Sequence, residues 1–157
     1  MLSTNQSTRL LNASTNRRFL GIFGSSDVGD TMKAARDVGL LKTGTGVFKR
    51  SGDVGGKDLD FYKFKLDTTS PFSARLINND SRRDRDPISL TILNSAGNTV
   101  TGIDGRSLDR RNIRAGAMGI LSTSLPAGTY YVRLESVQGR NQNYRLRLAA
   151  SALTENV

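Results

Sequence analysis

Arginine and aspartate carry most of the chemistry this chain can offer. Ser81-Arg82-Arg83-Asp84-Arg85-Asp86 is one charged run, and Arg106-Ser-Leu-Asp-Arg110-Arg111-Asn-Ile-Arg114 is another. Arginine dominates lysine in both, and its planar guanidinium suits bidentate contacts with carboxylate or phosphate. A third basic element, Arg17-Arg18, precedes the apolar cluster Phe19-Leu20-Gly-Ile22-Phe23. Arg17, Arg18, Phe19, Phe23, Arg82, Arg83, Arg85, Arg106, Arg110, Arg111 and Arg114 are therefore the candidate partner-binding residues. The plainer alternative is a set of solvated loops with local ion pairs.

The aspartates fall into two groups. Asp58 and Asp60 flank Leu59, with Asp53 nearby, and Asp80, Asp84 and Asp86 form a second acidic loop. A hard cation needs several oxygens converging at about 2.3–2.6 Å. Lys57, Arg82, Arg83 and Arg85 are interleaved with these carboxylates and repel a cation, and no EF-hand spacing is present. Asp60 capping a turn before its strand, and Asp86 preceding Pro87 in a turn, account for both without a metal.

Composition excludes other chemistries. The 157 residues include no His and no Cys. That removes the Ser-His-Asp triad, the imidazole base, the thiolate nucleophile, the thiolate zinc site and any disulfide framework. Gly44-Thr-Gly46 and Gly52–Gly56 lack the GKS/T ending and following helix of a phosphate loop, and read as turns. No carboxylate pair is placed across a cleft, as a glycosidase needs. No catalysis and no small-molecule substrate are expected. Lys plus Arg is 23 against 14 Asp plus Glu, a net charge of +9, and such an excess attracts polyanions. Nucleic acid is not the expected partner, because the basic stretches lack interleaved aromatics. An acidic protein surface is.

These residues must be positioned by β structure. Tyr62, Phe64 and Leu66 alternate with Lys63 and Lys65, and Phe72, Ala74 and Leu76 share a face. Ile88, Leu90 and Ile92 alternate with Ser89 and Thr91. Tyr130, Val132 and Leu134 form another inward set, and Tyr144, Leu146 and Leu148 alternate with Arg145 and Arg147. A period of two with one polar face marks half-buried antiparallel strands. Turn signals separate them at Ser51-Gly52 and Gly55-Gly56, Asn78-Asn79-Asp80, Asn94-Ser-Ala-Gly97-Asn98, Pro126-Ala-Gly128 and Gly139-Arg-Asn141. If the strands bearing Lys63, Lys65, Arg145 and Arg147 are neighbours, those side chains form a basic stripe; lysines there would also guard a sheet edge. The segment 27–41 reads as a short helix, capped by Asp30 or Thr31, with Met32, Ala35 and Val38 on one face and Gly39 as its stop. The fold class is thus all-β: a jelly-roll-like antiparallel β-sandwich of about seven or eight strands, with a short N-terminal helix and arm. Residues 1–30 read as an arm, partly disordered unless bound, 31–151 as the sandwich, and 152–157 as a tail. No stretch is apolar enough to span a bilayer, and Arg9, Arg17 and Arg18 interrupt any signal-peptide core. A cytoplasmic location is the expectation, with signal-less export as the alternative.

The order Ala35-Arg-Asp-Val-Gly39, Asp58-Leu-Asp60-Phe-Tyr62-Lys-Phe64-Lys-Leu66, Pro87-Ile-Ser-Leu90-Thr-Ile-Leu-Asn-Ser-Ala-Gly97, Leu125-Pro-Ala-Gly128-Thr-Tyr130-Tyr-Val-Arg-Leu134 and Asn143-Tyr144-Arg-Leu-Arg-Leu148 resembles the bacterial pre-peptidase C-terminal domain. The resemblance covers roughly residues 34–150 and is nearest to the short stand-alone versions abundant in cyanobacteria. It implies a compact non-catalytic sandwich that binds surfaces, assists secretion or mediates assembly. Some relatives hold calcium with loop carboxylates, and Asp60 and Asp86 match those positions best; otherwise no cofactor is implied. The absence of an accompanying protease domain, together with the basic charge, favours a docking or linker-like subunit of a larger assembly. A cyanobacterial light-harvesting antenna, with basic linkers and acidic pigment proteins, is one such assembly. The alternative is an extracellular adhesion or secretion-accessory module.

Overall fold

The computed structural model describes residues 28–81 and 86–151, the side chain of Arg111 excepted. Among the described residues, nine strands form two sheets: β1 (Arg36–Leu40), β2 (Val47–Val54), β3 (Leu59–Leu66), β4 (Ser70–Asn78), β5 (Ile88–Asn94), β6 (Asp109–Ile113), β7 (Met118–Leu125), β8 (Gly128–Ser136) and β9 (Gln142–Ala149). The five-stranded sheet runs β1-β3-β8-β5-β6 and the four-stranded sheet β2-β9-β4-β7. All pairings are antiparallel except β1 with β3.

The period-two pattern sets the core. Tyr62, Phe64, Leu66, Phe72, Ala74, Leu76, Ile88, Leu90, Ile92, Val132, Leu134, Tyr144 and Leu148 are buried between the sheets. Phe64 of one sheet stacks on Phe72 of the other, with ring centroids 4.8 Å apart and planes 5° from parallel. A polar tie crosses the same interface. The Tyr144 hydroxyl donates to the Asp60 carboxylate, and the Tyr62 and Tyr144 hydroxyls lie 2.6 Å apart. Ser51 and Gly52, expected to form a turn, lie within β2, and Gly52 makes room for this tie: a Cβ there would stand 2.6 Å from the Tyr144 hydroxyl.

Three expectations change. The helix expected over 27–41 is a single 3-10 turn, Met32–Ala34, whose Ala34 N–H donates to the Thr31 side chain. Residues 36–40 are strand β1 instead. A helix of two or three turns with a thin apolar face is marginal alone, whereas pairing with β3 satisfies the backbone and lets Val38 pack on the core. Gly39, at φ +83°, does not end a helix but forms the irregularity in that pairing, its N–H donating to Asp37 at 2.8 Å. Secondly, Arg106–Arg114 is not all loop, because residues 109–113 form β6 at the edge of the larger sheet. Those two segments supply strands beyond the seven or eight expected. Thirdly, Ser89 and Thr91 are buried rather than facing water, and the Thr91 hydroxyl donates to Asp109 at 3.0 Å.

Candidate functional site

Register decides where the positive charge gathers. Lys63 and Lys65 lie on β3 of the five-stranded sheet, whereas Arg145 and Arg147 lie on β9 of the four-stranded sheet. The stripe expected to join them does not exist. Nor do the two lysines guard an edge, since β1 covers β3, and Lys63 makes an ion pair with Asp37 of β1 at 2.8 Å. That contact holds the Asp37 carboxyl below its usual range, aided by the Gly39 N–H, and raises the Lys63 ammonium. Arg133 and Glu135 of β8 also approach, at 3.9 Å. The outer face of the larger sheet therefore mixes both signs.

The outer face of the smaller sheet carries the exposed Asp53 near the end of β2 and otherwise gathers cations. Lys49 of β2 stands opposite Arg147 of β9, and Arg147 opposite Arg75 of β4. Arg145 lies two residues along β9, on the same face. Like charges directly opposite one another on a sheet are destabilising, and here they stand side by side across three strands. Among the described residues, none of Lys49, Arg75, Arg145 and Arg147 makes an ion pair. Arg145 donates to the Asn79 side chain at 3.2 Å. The Nε of Arg75 is buried and has no hydrogen-bond partner. These residues, with Ser51, Ile77 and the strand backbone at Arg50 and Leu146, line a groove of about 350 Å³. The Arg50 side chain points to the inner face of β2, its charge acting on the buried Tyr62 hydroxyl, and a charge pointing inward at a sheet edge discourages pairing with another chain. The lining is cationic and aliphatic with one hydroxyl and no carboxylate, a set suited to holding anions.

The loop arginines have other surroundings. Arg106 lies 3.8 Å from Asp104, and Arg110 reaches the Ile120 carbonyl on β7 at 3.5 Å. Arg114 is exposed, and neither it nor Arg106 nor Arg110 lines the groove. Arg17, Arg18, Phe19, Phe23, Arg82, Arg83 and Arg85 lie outside the described residues, as does the side chain of Arg111. Lys49 and Arg75 were missed as site residues. Each occupies a polar position in a strand, a signal that alternation carries, but their convergence with Arg147 depends on strand order.

The candidate calcium ligands have protein partners. Asp60 is buried and accepts from Tyr144. Burial, with Asp60 close by, raises the Tyr62 hydroxyl to about 12, and burial together with Tyr62 and Asp60 raises Tyr144 further. Asp86 is buried too, and one carboxylate oxygen accepts from the Arg140 N–H at 2.9 Å and the Ser136 hydroxyl at 3.5 Å. These contacts fix the turn between β8 and β9. Among the described residues, no group of three or more acidic, His or Cys side chains is placed to hold a metal ion, and no helix is long and apolar enough to cross a membrane.

With this geometry in place, known structures show what the fold is similar to. The pre-peptidase C-terminal domain of a collagenase from Bacillus anthracis superposes with a TM-score of 0.51 at 13% identity, covering 72% of this chain and 92% of that one. The likeness is one of fold. PliG from Salmonella Typhimurium, a periplasmic lysozyme inhibitor, gives 0.46 at 15% identity over 73% of this chain and 97% of that one. Tripeptidyl peptidase 2 gives 0.48 at 11% identity over 69% of this chain and 10% of its own. No family model and no curated protein matches the sequence.

Proposed function

We propose that this chain is a non-catalytic interaction module, a basic β-sandwich that docks an acidic protein surface within a larger assembly. One observation carries the reading: the row Lys49, Arg147 and Arg75 on the outer face of the four-stranded sheet. Adjacent cations raise the energy of the free protein, and an anionic partner relieves that repulsion as it binds. The pre-peptidase C-terminal-like fold supports a binding role by analogy alone. The antenna remains one assembly of fitting charge, with the module acting as a linker in the cytoplasm.

The test compares the native chain with Arg147→Gln in co-purification from native extract at about 50 mM and 500 mM salt, followed by binding of the purified partner. An acidic partner held at low salt, released at high salt and lost with Arg147→Gln supports docking. Retention that ignores both salt and Arg147 refutes it. Fractionation of native cells adds a second check. Recovery outside the cell would favour the adhesion or secretion-accessory alternative.

A further inference from the structure

The outer face of the four-stranded sheet is graded as well as charged. Across β2, β9, β4 and β7, one row reads Lys49, Arg147, Arg75, Ile120. The next row on the same face reads Ser51, Arg145, Ile77, Met118. Both rows pass from polar or basic on β2 and β9 to apolar on β7. Met118 is 47% exposed, a large apolar side chain left open beside the cations. A folded acidic surface of arbitrary shape has no need of this gradient. A linear ligand with ordered side chains does.

We infer that the groove takes an extended acidic peptide lying across the strands, with carboxylates at its first and third positions and an apolar side chain at its fifth. This rests on the docking reading above and names the ligand. Neighbouring strands lie about 4.8 Å apart, so Lys49 to Arg75 spans about 9.6 Å and Lys49 to Ile120 about 14.4 Å. In an extended peptide, side chains on one face recur about every 6.8 Å, so positions one, three and five span about 13.6 Å. With the first carboxylate over Lys49, the second falls about 6.8 Å on, between Arg147 and Arg75, and the apolar side chain about 13.6 Å on, over Ile120 and beside Met118. Arg75, with its buried Nε lacking a partner, faces the second carboxylate. Neither row holds an aromatic side chain, so bases find no stacking platform here.

The test is fluorescence anisotropy at low salt with synthetic peptides carrying a neutral fluorophore. Ser-Glu-Ser-Glu-Ser-Leu-Ser is compared with its isomer Ser-Glu-Glu-Ser-Ser-Leu-Ser, with Ser-Glu-Ser-Glu-Ser-Ser-Ser and with single-stranded oligothymidylate. The alternating peptide is expected to bind about fivefold to tenfold tighter than the isomer, since one charge-assisted contact is lost. Arg147→Gln weakens it about tenfold. Met118→Ser removes the preference for the leucine peptide over its serine analogue and leaves the serine analogue unchanged. Equal binding of the two isomers, or tighter binding of the oligonucleotide, overturns the inference. Silence of every peptide, with Arg147-dependent binding of a folded acidic protein intact, overturns the peptide ligand and leaves docking standing. Loss of all Arg147-dependent binding overturns both.

Discussion

Replacing Arg147 with Gln should make the protein more stable, which is unusual for a surface arginine. Arg147 stands between Lys49 and Arg75, with Arg145 two residues away on its own strand. Directly opposed pairs have Cβ atoms about 4.5–5.5 Å apart, and such pairs contribute roughly 0.2–1 kcal/mol each, unfavourably for like charges. Two direct pairs removed give a gain of about 0.5–2 kcal/mol at low ionic strength. Glutamine keeps part of the aliphatic stem, so little packing is lost. For a domain of this size the gain corresponds to about 1–8 °C in Tm. Screening supplies the control, because the Debye length falls from about 30 Å at 0.01 M salt to about 3 Å at 1 M. Thermal unfolding followed by circular dichroism, in sodium chloride at those two concentrations, reads both effects. The native chain's Tm rises with salt more than the variant's does, and the two converge. A variant less stable than the native chain at low salt, or a difference unchanged at 1 M, would refute the claim that this row stores repulsion.

Other predictions concern the polar tie and the carboxylates. Tyr144→Phe removes the donor to buried Asp60 and should destabilise by about 1–3 kcal/mol in denaturant unfolding; a loss under 0.5 kcal/mol would show the tie to be idle. Tyr62 and Tyr144 have hydroxyls raised by burial, Tyr62 to about 12, so the folded state favours their neutral forms. The Tyr62 contribution is complete below the ordinary tyrosine value of 10 and is lost as pH climbs from there through about 12, and that of Tyr144 is lost from 10 upward over a wider range. Ultraviolet titration should show both ionising only as the chain unfolds; reversible ionisation in the folded state near 10 would contradict it. Calcium added to chelated protein should leave the melting temperature unchanged, because Asp60 and Asp86 already accept from Tyr144, Arg140 and Ser136; a saturable rise would assign a site to them.

Much of the fold was legible because alternation is a local signal. Tyr62, Phe64, Leu66, Phe72, Ala74 and Leu76 read as inward from spacing alone, and the structure buries them all. The segment 27–41 misled for the opposite reason. Its strand character comes from pairing with β3, more than twenty residues away, while its local pattern of Thr31, Met32 and Ala35 suits a helical turn. The groove sits between these cases. Spacing shows that Arg145 and Arg147 point outward. That Lys49 and Arg75 flank Arg147, and that Lys63 and Lys65 belong to the other sheet, follows from strand order, which crosses between sheets and leaves no local trace.

The proposed docking surface is one face of one sheet, and a residue-resolved titration tests that most directly. Isotope-labelled chain titrated with polyglutamate at low salt, followed by amide and arginine side-chain NMR shifts, maps the contact. Shifts concentrated at Lys49, Ser51, Arg75, Arg145 and Arg147, and abolished by salt, are the predicted result. Shifts centred on Arg106, Arg110 and Arg114, or on Lys63 and Lys65, would contradict it.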